Sequence, residues 1–298
     1  MCIATLGIVC CRSIALPRRG DILIRIWLDK KRGISMIKRF SVCCGQVIVC
    51  CALILSPRVL ADGQADLRNA LKQLQSTKPI AVNAQFKLVG SSGDHDDLIE
   101  HEGVINLRLE DGADGLRAIY SPQLIAQLHA EELAKVEDEN VKNSALNAVG
   151  QFEYWEWREL LYPAAQLELA LARSQFIEEK VDERNGKQVR RLKFSMPHDK
   201  IDKKYRKYIK KYKNHLLVWV DENGVPLASQ MIEKGSGRVF IVISFQFENE
   251  SYTEYQQQAG HLLVATRDVK EATSGTTMQS RRHFTSTVTP VAVSPTAK

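Results

Sequence analysis

Residues 175–196 read QFIEEKVDERNGKQVRRLKFSM. Two alternating runs flank Asn185-Gly186, a pair that accepts positive φ at both positions and forms a turn matching the twist of a two-stranded ribbon. The stretch predicts a tight antiparallel hairpin. Further turn signals stand at Glu222-Asn223-Gly224, Gly235-Ser236-Gly237, Ala259-Gly260 and Ser274-Gly275. Between and after them the pattern predicts strands near 215–221, 226–234, 238–250, 261–272 and 276–290. Upstream, IAVNAQFKLVG (80–90), LIEHEGVINLRLEDG (98–112) and GLRAIYS (115–121) read as three more, with SSGDHDD as a turn. Connections this short place neighbouring strands antiparallel.

Ahead of the hairpin, helical signals stand in two places. QADLRNALKQLQ (64–75) sets Leu67, Ala70, Leu71 and Leu74 at helical spacing. Ser121-Pro122 then offers a capping hydroxyl followed by proline at the first helical position. A helical insertion is expected over 122–176, with Pro163 opening a helix that runs to about residue 174. The expected fold class is α+β: a large curved antiparallel sheet of about nine strands, half-barrel-like, covered by helices. A sheet lined in this way can enclose an apolar cavity.

The composition changes near residue 61. From Met36 the chain reads MIKRFSVCCGQVIVCCALILSPRVLADGQ. Lys38 and Arg39 form a short positive start, Phe40 to Leu55 an apolar run, and Pro57 a break. Val59 and Ala61 are small residues three and one places before a cut between Ala61 and Asp62. This is the layout of a cleaved secretory leader over 36–61, with an uncleaved membrane anchor as the alternative. Residues 1–35 are expected to be an upstream extension from a misassigned start. The expected exported body is a single domain over 62–290, followed by a disordered tail, 291–298.

The formal net charge of +6 averages over unlike parts. Ten of the 41 Lys and Arg and two of the 35 acids precede Asp62, which leaves 31 cations and 33 acids, a net of −2. All seven cysteines (2, 10, 11, 43, 44, 50, 51) also precede Asp62. The exported part therefore has no disulfide, thiolate nucleophile or cysteine metal ligand.

Within that body, DKIDKKYRKYIKKYKNH (199–215) is strongly basic. Residues 199–213 hold eight cations and two acids, a net of +6. A helical step of about 100° per residue gathers Ile201, Tyr205, Tyr208, Ile209 and Tyr212 on one stripe. Lys200, Lys203, Lys204, Arg206, Lys207, Lys210, Lys211 and Lys213 fall opposite. The expectation is a cationic amphipathic helix. Three readings stay open: the stripe packs on the sheet with its lysines in water, the lysines meet an anionic membrane or lipid headgroup, or they meet an acidic protein. An exported protein is not expected to have a nucleic-acid partner.

FEYWEWRELLY (152–162) contributes Tyr154, Trp155 and Trp157. Together with Trp219 these are candidates to line an apolar ligand pocket, with packing in the core as the alternative. GDHDDLIEHE (93–102) clusters His95, Asp96, Asp97, Glu100 and His101 without a metal-binding spacing, and reads as a solvated loop. A serine elbow, a metalloprotease helix and a phosphate loop are all missing from the sequence. No catalytic residue, metal or cofactor is expected.

LLVWVDENGVPLASQMIEKGSG (216–237) resembles a recurring piece of the outer-membrane lipoprotein carrier superfamily. The matching features are Trp219, Val220-Asp221, the Gly224-Val225-Pro226-Leu227 turn and Gly235. The opening helix with Leu67, Leu71 and Leu74, followed by VNAQFKL, fits the same pattern. The superfamily's arginine-bearing strand has no clear counterpart, and the block 122–176 is longer than the pattern needs. The resemblance implies a half-barrel and a periplasmic, non-enzymatic role. It implies binding of a lipid, an acyl chain or a lipid-bearing protein. The rival readings are an envelope regulatory or assembly protein that binds another protein, and a hydrolase of unknown type.

Overall fold

The computed structural model describes residues 62–293, apart from residues 95, 139–140 and 240–241. The expected extension 1–35, the leader through Ala61, His95 and residues 294–298 of the expected tail lie outside the described residues.

Among the described residues, ten strands form one open antiparallel sheet. They are β1 (Ile80–Asp94), β2 (Asp97–Gly112), β3 (Gly115–Tyr120), β4 (Gln175–Arg184), β5 (Lys187–Ser195), β6 (Ile209–Val220), β7 (Pro226–Val239), β8 (Ile243–Gln258), β9 (His261–Gly275) and β10 (Gln279–Val291). Six helices accompany them: α1 (Gly63–Gln73), α2 (Pro122–Glu137), α3 (Ser144–Gln151), α4 (Tyr154–Leu161), α5 (Pro163–Arg173) and α6 (Lys203–Arg206). The spatial order is β3-β2-β1-β10-β9-β8-β7-β6-β5-β4. β1 pairs with β10 from Ala81↔Val291 to Gly93↔Gln279, so the two edge strands, β3 and β4, are consecutive in sequence. The chain between them must cross the whole sheet, roughly 40 Å at about 4.8 Å per strand. The block α2–α5 is that crossing.

Helices α1–α5 lie on one face, hereafter the helix face. Along β1, Val82, Ala84, Phe86 and Leu88 are buried, and Asn83, Gln85 and Lys87 alternate with them in solvent. One apolar cluster joins this row and Ile105, Leu107 and Leu109 of β2 to α2, α3 and α4, with Phe86 and Phe152 stacked 4.5 Å apart. A second joins Leu67 and Leu71 of α1 and Leu167 and Leu171 of α5 to β5 and β6. Tyr255 of β8 packs against both. Its hydroxyl lies 2.6 Å from Ser229 Oγ, and burial pushes the phenol up to about 12. Arg267 of β9 pairs with Glu159 of α4, and Tyr162 donates to Asp111, fixing the block to the sheet.

Local chemistry accounts for the boundaries. Asp62 caps α1 by accepting from Gln64 N and Ala65 N, and Ser121 Oγ caps α2 at 3.1 Å from Leu124 N. Asn143 makes no side-chain cap to α3; Glu131 of α2 instead accepts from Ala145 N and Leu146 N at 3.2 and 3.0 Å. Asn185 and Gly186 have φ of 52° and 73°, giving the expected two-residue turn between Arg184 and Lys187. In the β6–β7 turn, Asp221 Oδ1 accepts from Asn223 N and Val225 N. Gly224 there has φ 80° and faces the Asp66 backbone so closely that a Cβ would stand 2.5 Å from its carbonyl carbon. Arg190 seals the contact, with NH1 2.7 Å from Asp66 and NH2 donating to the carbonyls of Asp221 and Glu222.

The open antiparallel sheet of ten strands with its helices is the α+β fold that was expected, with about nine strands foreseen. Other expectations are corrected. The basic stretch is not one amphipathic helix: a single 3-10 turn, His198–Lys200, and the four-residue α6 lead into β6, which begins at Ile209. A fifteen-residue helix would have stacked Lys203 on Lys207, Arg206 on Lys210 and Lys207 on Lys211, all like charges at four-residue spacing. Pairing with β7 instead satisfies the backbone and uses the β preference of Ile209 and Tyr212. Gly235-Ser236-Gly237 is not a turn but the distal part of β7. β10 ends at Val291, one residue past the expected strand 276–290, and Arg108 donates to the Ala292 carbonyl.

Gly224→Ala should lower stability by about 1–3 kcal/mol, from left-handed strain and overlap with α1. Urea unfolding monitored by circular dichroism checks this; an unchanged midpoint would mean that α1 does not dock on this turn.

Candidate functional site

The four candidate aromatic residues do not share one pocket. Tyr154, Trp155 and Trp157 lie on α4. Trp157 packs against the first core cluster and donates from Nε1 to the Phe152 carbonyl at 3.0 Å. Tyr154 is exposed and meets Trp155 edge-on at 5.4 Å. Trp219 sits on the opposite, free face of the sheet, because its neighbours Val218 and Val220 point into the second core cluster.

On that free face Trp219 belongs to a polar and aromatic cluster. Its Nε1 donates to Asp182 Oδ2 at 2.9 Å, and Arg191 NH1 lies 3.3 Å from the same oxygen. The Arg184 guanidinium stands 5.4 Å from the Trp219 ring and 5.7 Å from the Tyr252 ring. It donates to Tyr252 Oη at 2.6 Å and to Glu254 Oε1 at 3.1 Å. Arg184 comes from the tip of the β4–β5 hairpin and Tyr252 from β8, so the hairpin tip folds across the free face. The Trp219 hydrogen bond, then the Glu183 N–H, hold the Asp182 carboxyl below the usual carboxylate range.

The eight basic residues divide into two groups. Lys200, Lys203, Lys204, Arg206 and Lys207 lie in the segment before β6. Lys204 and Lys207 rest on their own neighbours, with Nζ 5.3 Å from the Tyr205 ring and 4.7 Å from the Tyr208 ring. Ile201 is buried. Lys210, Lys211 and Lys213 belong to β6, and Lys211 and Lys213 project from the free face.

The helix face carries a surface that the sequence reading missed. Beyond the helices, a polar row crosses it in register: Asn214, Glu233, Asn249, Glu271 and Arg282. Glu233 accepts from Tyr212 Oη at 2.7 Å, Arg282 NH2 lies 2.7 Å from Glu271, and Arg282 NH1 donates to Gln151 at the end of α3. Past this belt, Phe245 and Phe247 stack 6.4 Å apart and lie over Gly237 and Gly235 of β7. Nothing larger than glycine leaves room for those rings. Met231, on the near side of the belt, is 39% exposed. The signal was available as Phe-x-Phe opposite Gly-x-Gly, but the glycines read as a turn.

The stretch 93–102, read as a solvated loop, is instead the end of β1 and the start of β2 from Asp97, and His101 Nε2 of β2 lies 2.8 Å from Ser92 Oγ of β1. Among the described residues, no group of three His, Cys, Asp or Glu side chains is placed to hold a metal ion. No helix among them is long and apolar enough to cross a membrane.

No family model matches the chain, and no curated protein matches it. Its fold is similar to that of a LolA superfamily protein from Nitrosomonas europaea, at 11% identity and TM-score 0.25, over 77% of this chain and 94% of that one. A DUF1329 family protein from Desulfovibrio piger is similar at 10% identity and TM-score 0.27, over 77% and 92%. MucB in complex with MucA(peri) is similar at 10% identity and TM-score 0.20, over 76% and 93%.

Because its folded value is depressed, Asp182 stabilises the fold above the ordinary carboxylate range and loses that contribution as pH falls through its folded value. Trp219→Phe removes the leading donor, so the Asp182 carboxyl should titrate at higher pH. Carboxyl-detected NMR reads this directly, and an unmoved midpoint would discard the hydrogen bond as the cause.

Proposed function

We propose that the chain is an exported, periplasmic binding protein that holds an acyl chain, or the lipid-bearing end of another protein, against the distal helix face. The observation that carries this reading is the partly exposed Phe245–Phe247 pair, backed by glycines and set beyond a polar belt on the same face as the core. Aromatic rings and a flexible thioether suit irregular hydrocarbon. The basic segment 199–213 brings the protein to an anionic membrane, where each Lys or Arg contributes roughly 1 kcal/mol. The leader and the likeness of residues 216–237 to the lipoprotein carriers agree with export.

A second reading is an envelope regulatory or assembly protein without an internal ligand. It is favoured by the filled space beneath the helices, where Phe86, Phe152, Leu160 and Leu161 are each 1% exposed or less. That filling confines any acyl chain to the distal surface.

Native mass spectrometry after gentle extraction should show retained lipid mass, and a fluorescent fatty acid should bind. Phe247→Glu should weaken that binding about 10- to 100-fold, the equivalent of burying one aromatic ring. Absence of both retained mass and probe binding would favour the second reading. Co-sedimentation with phosphatidylglycerol vesicles should fall with salt and drop when Lys203, Lys207 and Lys210 become Glu. Unchanged sedimentation would remove membrane docking from the proposal.

A further inference from the structure

The free face holds a cleft of about 460 Å³ across β6–β10. Two registered rows build it. The first is Lys213, Lys234, Glu248, Ala272 and Arg281; the second is Lys211, Ser236, Gln246, Ser274 and Gln279. Small side chains at Ala272 and Ser274 leave a hollow between a three-lysine wall and an arginine wall.

The charges in this cleft are poorly matched. Lys213 and Lys234 face each other directly across β6 and β7, a pairing of like charges that destabilises a sheet. Lys234 pairs with Glu248. Among the described residues, Lys211, Lys213 and Arg281 have no ion-pair partner. An anion at this wall relieves the repulsion. Compact ammonium groups suit a phosphate, and Arg281 presents a fork to a second acceptor.

Size narrows the ligand further. From β7 to β10 is three strand spacings, roughly 14 Å. A free phosphate ion cannot touch both walls. Between them lie amide and hydroxyl groups, with Gln246 Nε2 donating to Ser274 Oγ at 2.8 Å. Such a floor matches ligand hydroxyls. We infer that this cleft binds a phosphorylated polyol or saccharide, with its phosphate at Lys211, Lys213 and Lys234 and its hydroxyls over Gln246, Ser274 and Gln279. The same chemistry occurs in a lipid headgroup and in a soluble sugar phosphate. The site deepens the docking part of the proposal above and rests on it only for the lipid source.

Calorimetric titration of the purified full chain with glucose 1-phosphate, with glucose as control, tests the site. Glucose 1-phosphate should bind and glucose should not. The double variant Lys211→Glu, Lys213→Glu should lose at least about tenfold in affinity, as expected for charge-assisted contacts. Lys213→Ala alone should raise the Tm without phosphate and shrink the Tm gain on adding glucose 1-phosphate, a readout that does not depend on detecting weak heats. Vesicles containing phosphatidylinositol, compared with phosphatidylcholine, separate the sources. Binding of both the sugar phosphate and these vesicles supports the site and a headgroup ligand. Binding of the sugar phosphate alone supports the site and overturns membrane docking. Vesicle binding that Arg281→Gln and Gln246→Ala leave unchanged, with no sugar phosphate binding, overturns the site while docking through 199–213 stands. Absence of binding in every arm overturns both.

Discussion

β1 and β10 lie side by side in a continuous run of pairs from Ala81↔Val291 to Gly93↔Gln279. That pairing joins two meanders, β1–β3 and β4–β10, into one sheet, and it sets the rest of the architecture. It makes strands of adjacent sequence into opposite edges. The linking chain must then traverse one face, and four helices with apolar stripes are a stable way to do so. The helices in turn make that face the core and leave the other face to polar and charged side chains. Because the pairing joins residues about 200 apart in sequence, its loop-closure entropy must be met before the contacts form.

The two faces therefore do different work. The helix face runs from a packed apolar core, through a belt of Asn214, Glu233, Asn249, Glu271 and Arg282, to the stacked phenylalanines. The belt matters because it places wettable groups between dry packing and exposed rings, so the two apolar zones are separate. The free face carries ion pairs, hydroxyl and amide groups, joined around Trp219 and Tyr252 by aromatic rings. Export and ligand chemistry are proposals; the separation of the faces is a property of the fold.

Much of this was legible in the chain. Asn185-Gly186 marked its hairpin because few other pairs tolerate two positive φ values, and Ser121-Pro122 marked a helix start because both residues act locally. Leu67 and Leu71 were legible as a stripe because α1 buries only one side. What escaped depends on partners distant in sequence. The spacing of Tyr205, Tyr208 and Tyr212 fits a helix as well as a turn feeding a strand, and only β7 decides between them. Gly235 and Gly237 look like a turn until Phe247 and Phe245 are laid over them. Trp219 and Trp157 could not be assigned to opposite faces without the strand register. The cationic cleft draws on β6, β7 and β10, so no single window of sequence contains it.

An open sheet carries a hazard that closed barrels escape, since each unpaired border is a template for another copy. β4 is such a border and exposes Phe176, Ile177 and Val181. Two features work against runaway stacking. An irregularity between Phe176 and Glu178 breaks the regular spacing of backbone donors, and Arg184 draws the far end of the strand over toward Tyr252. The border is kinked at one end and bent at the other, a poor seed for fibrils. The guanidinium beside the Trp219 and Tyr252 rings thus makes this border a less regular template for another copy of the chain.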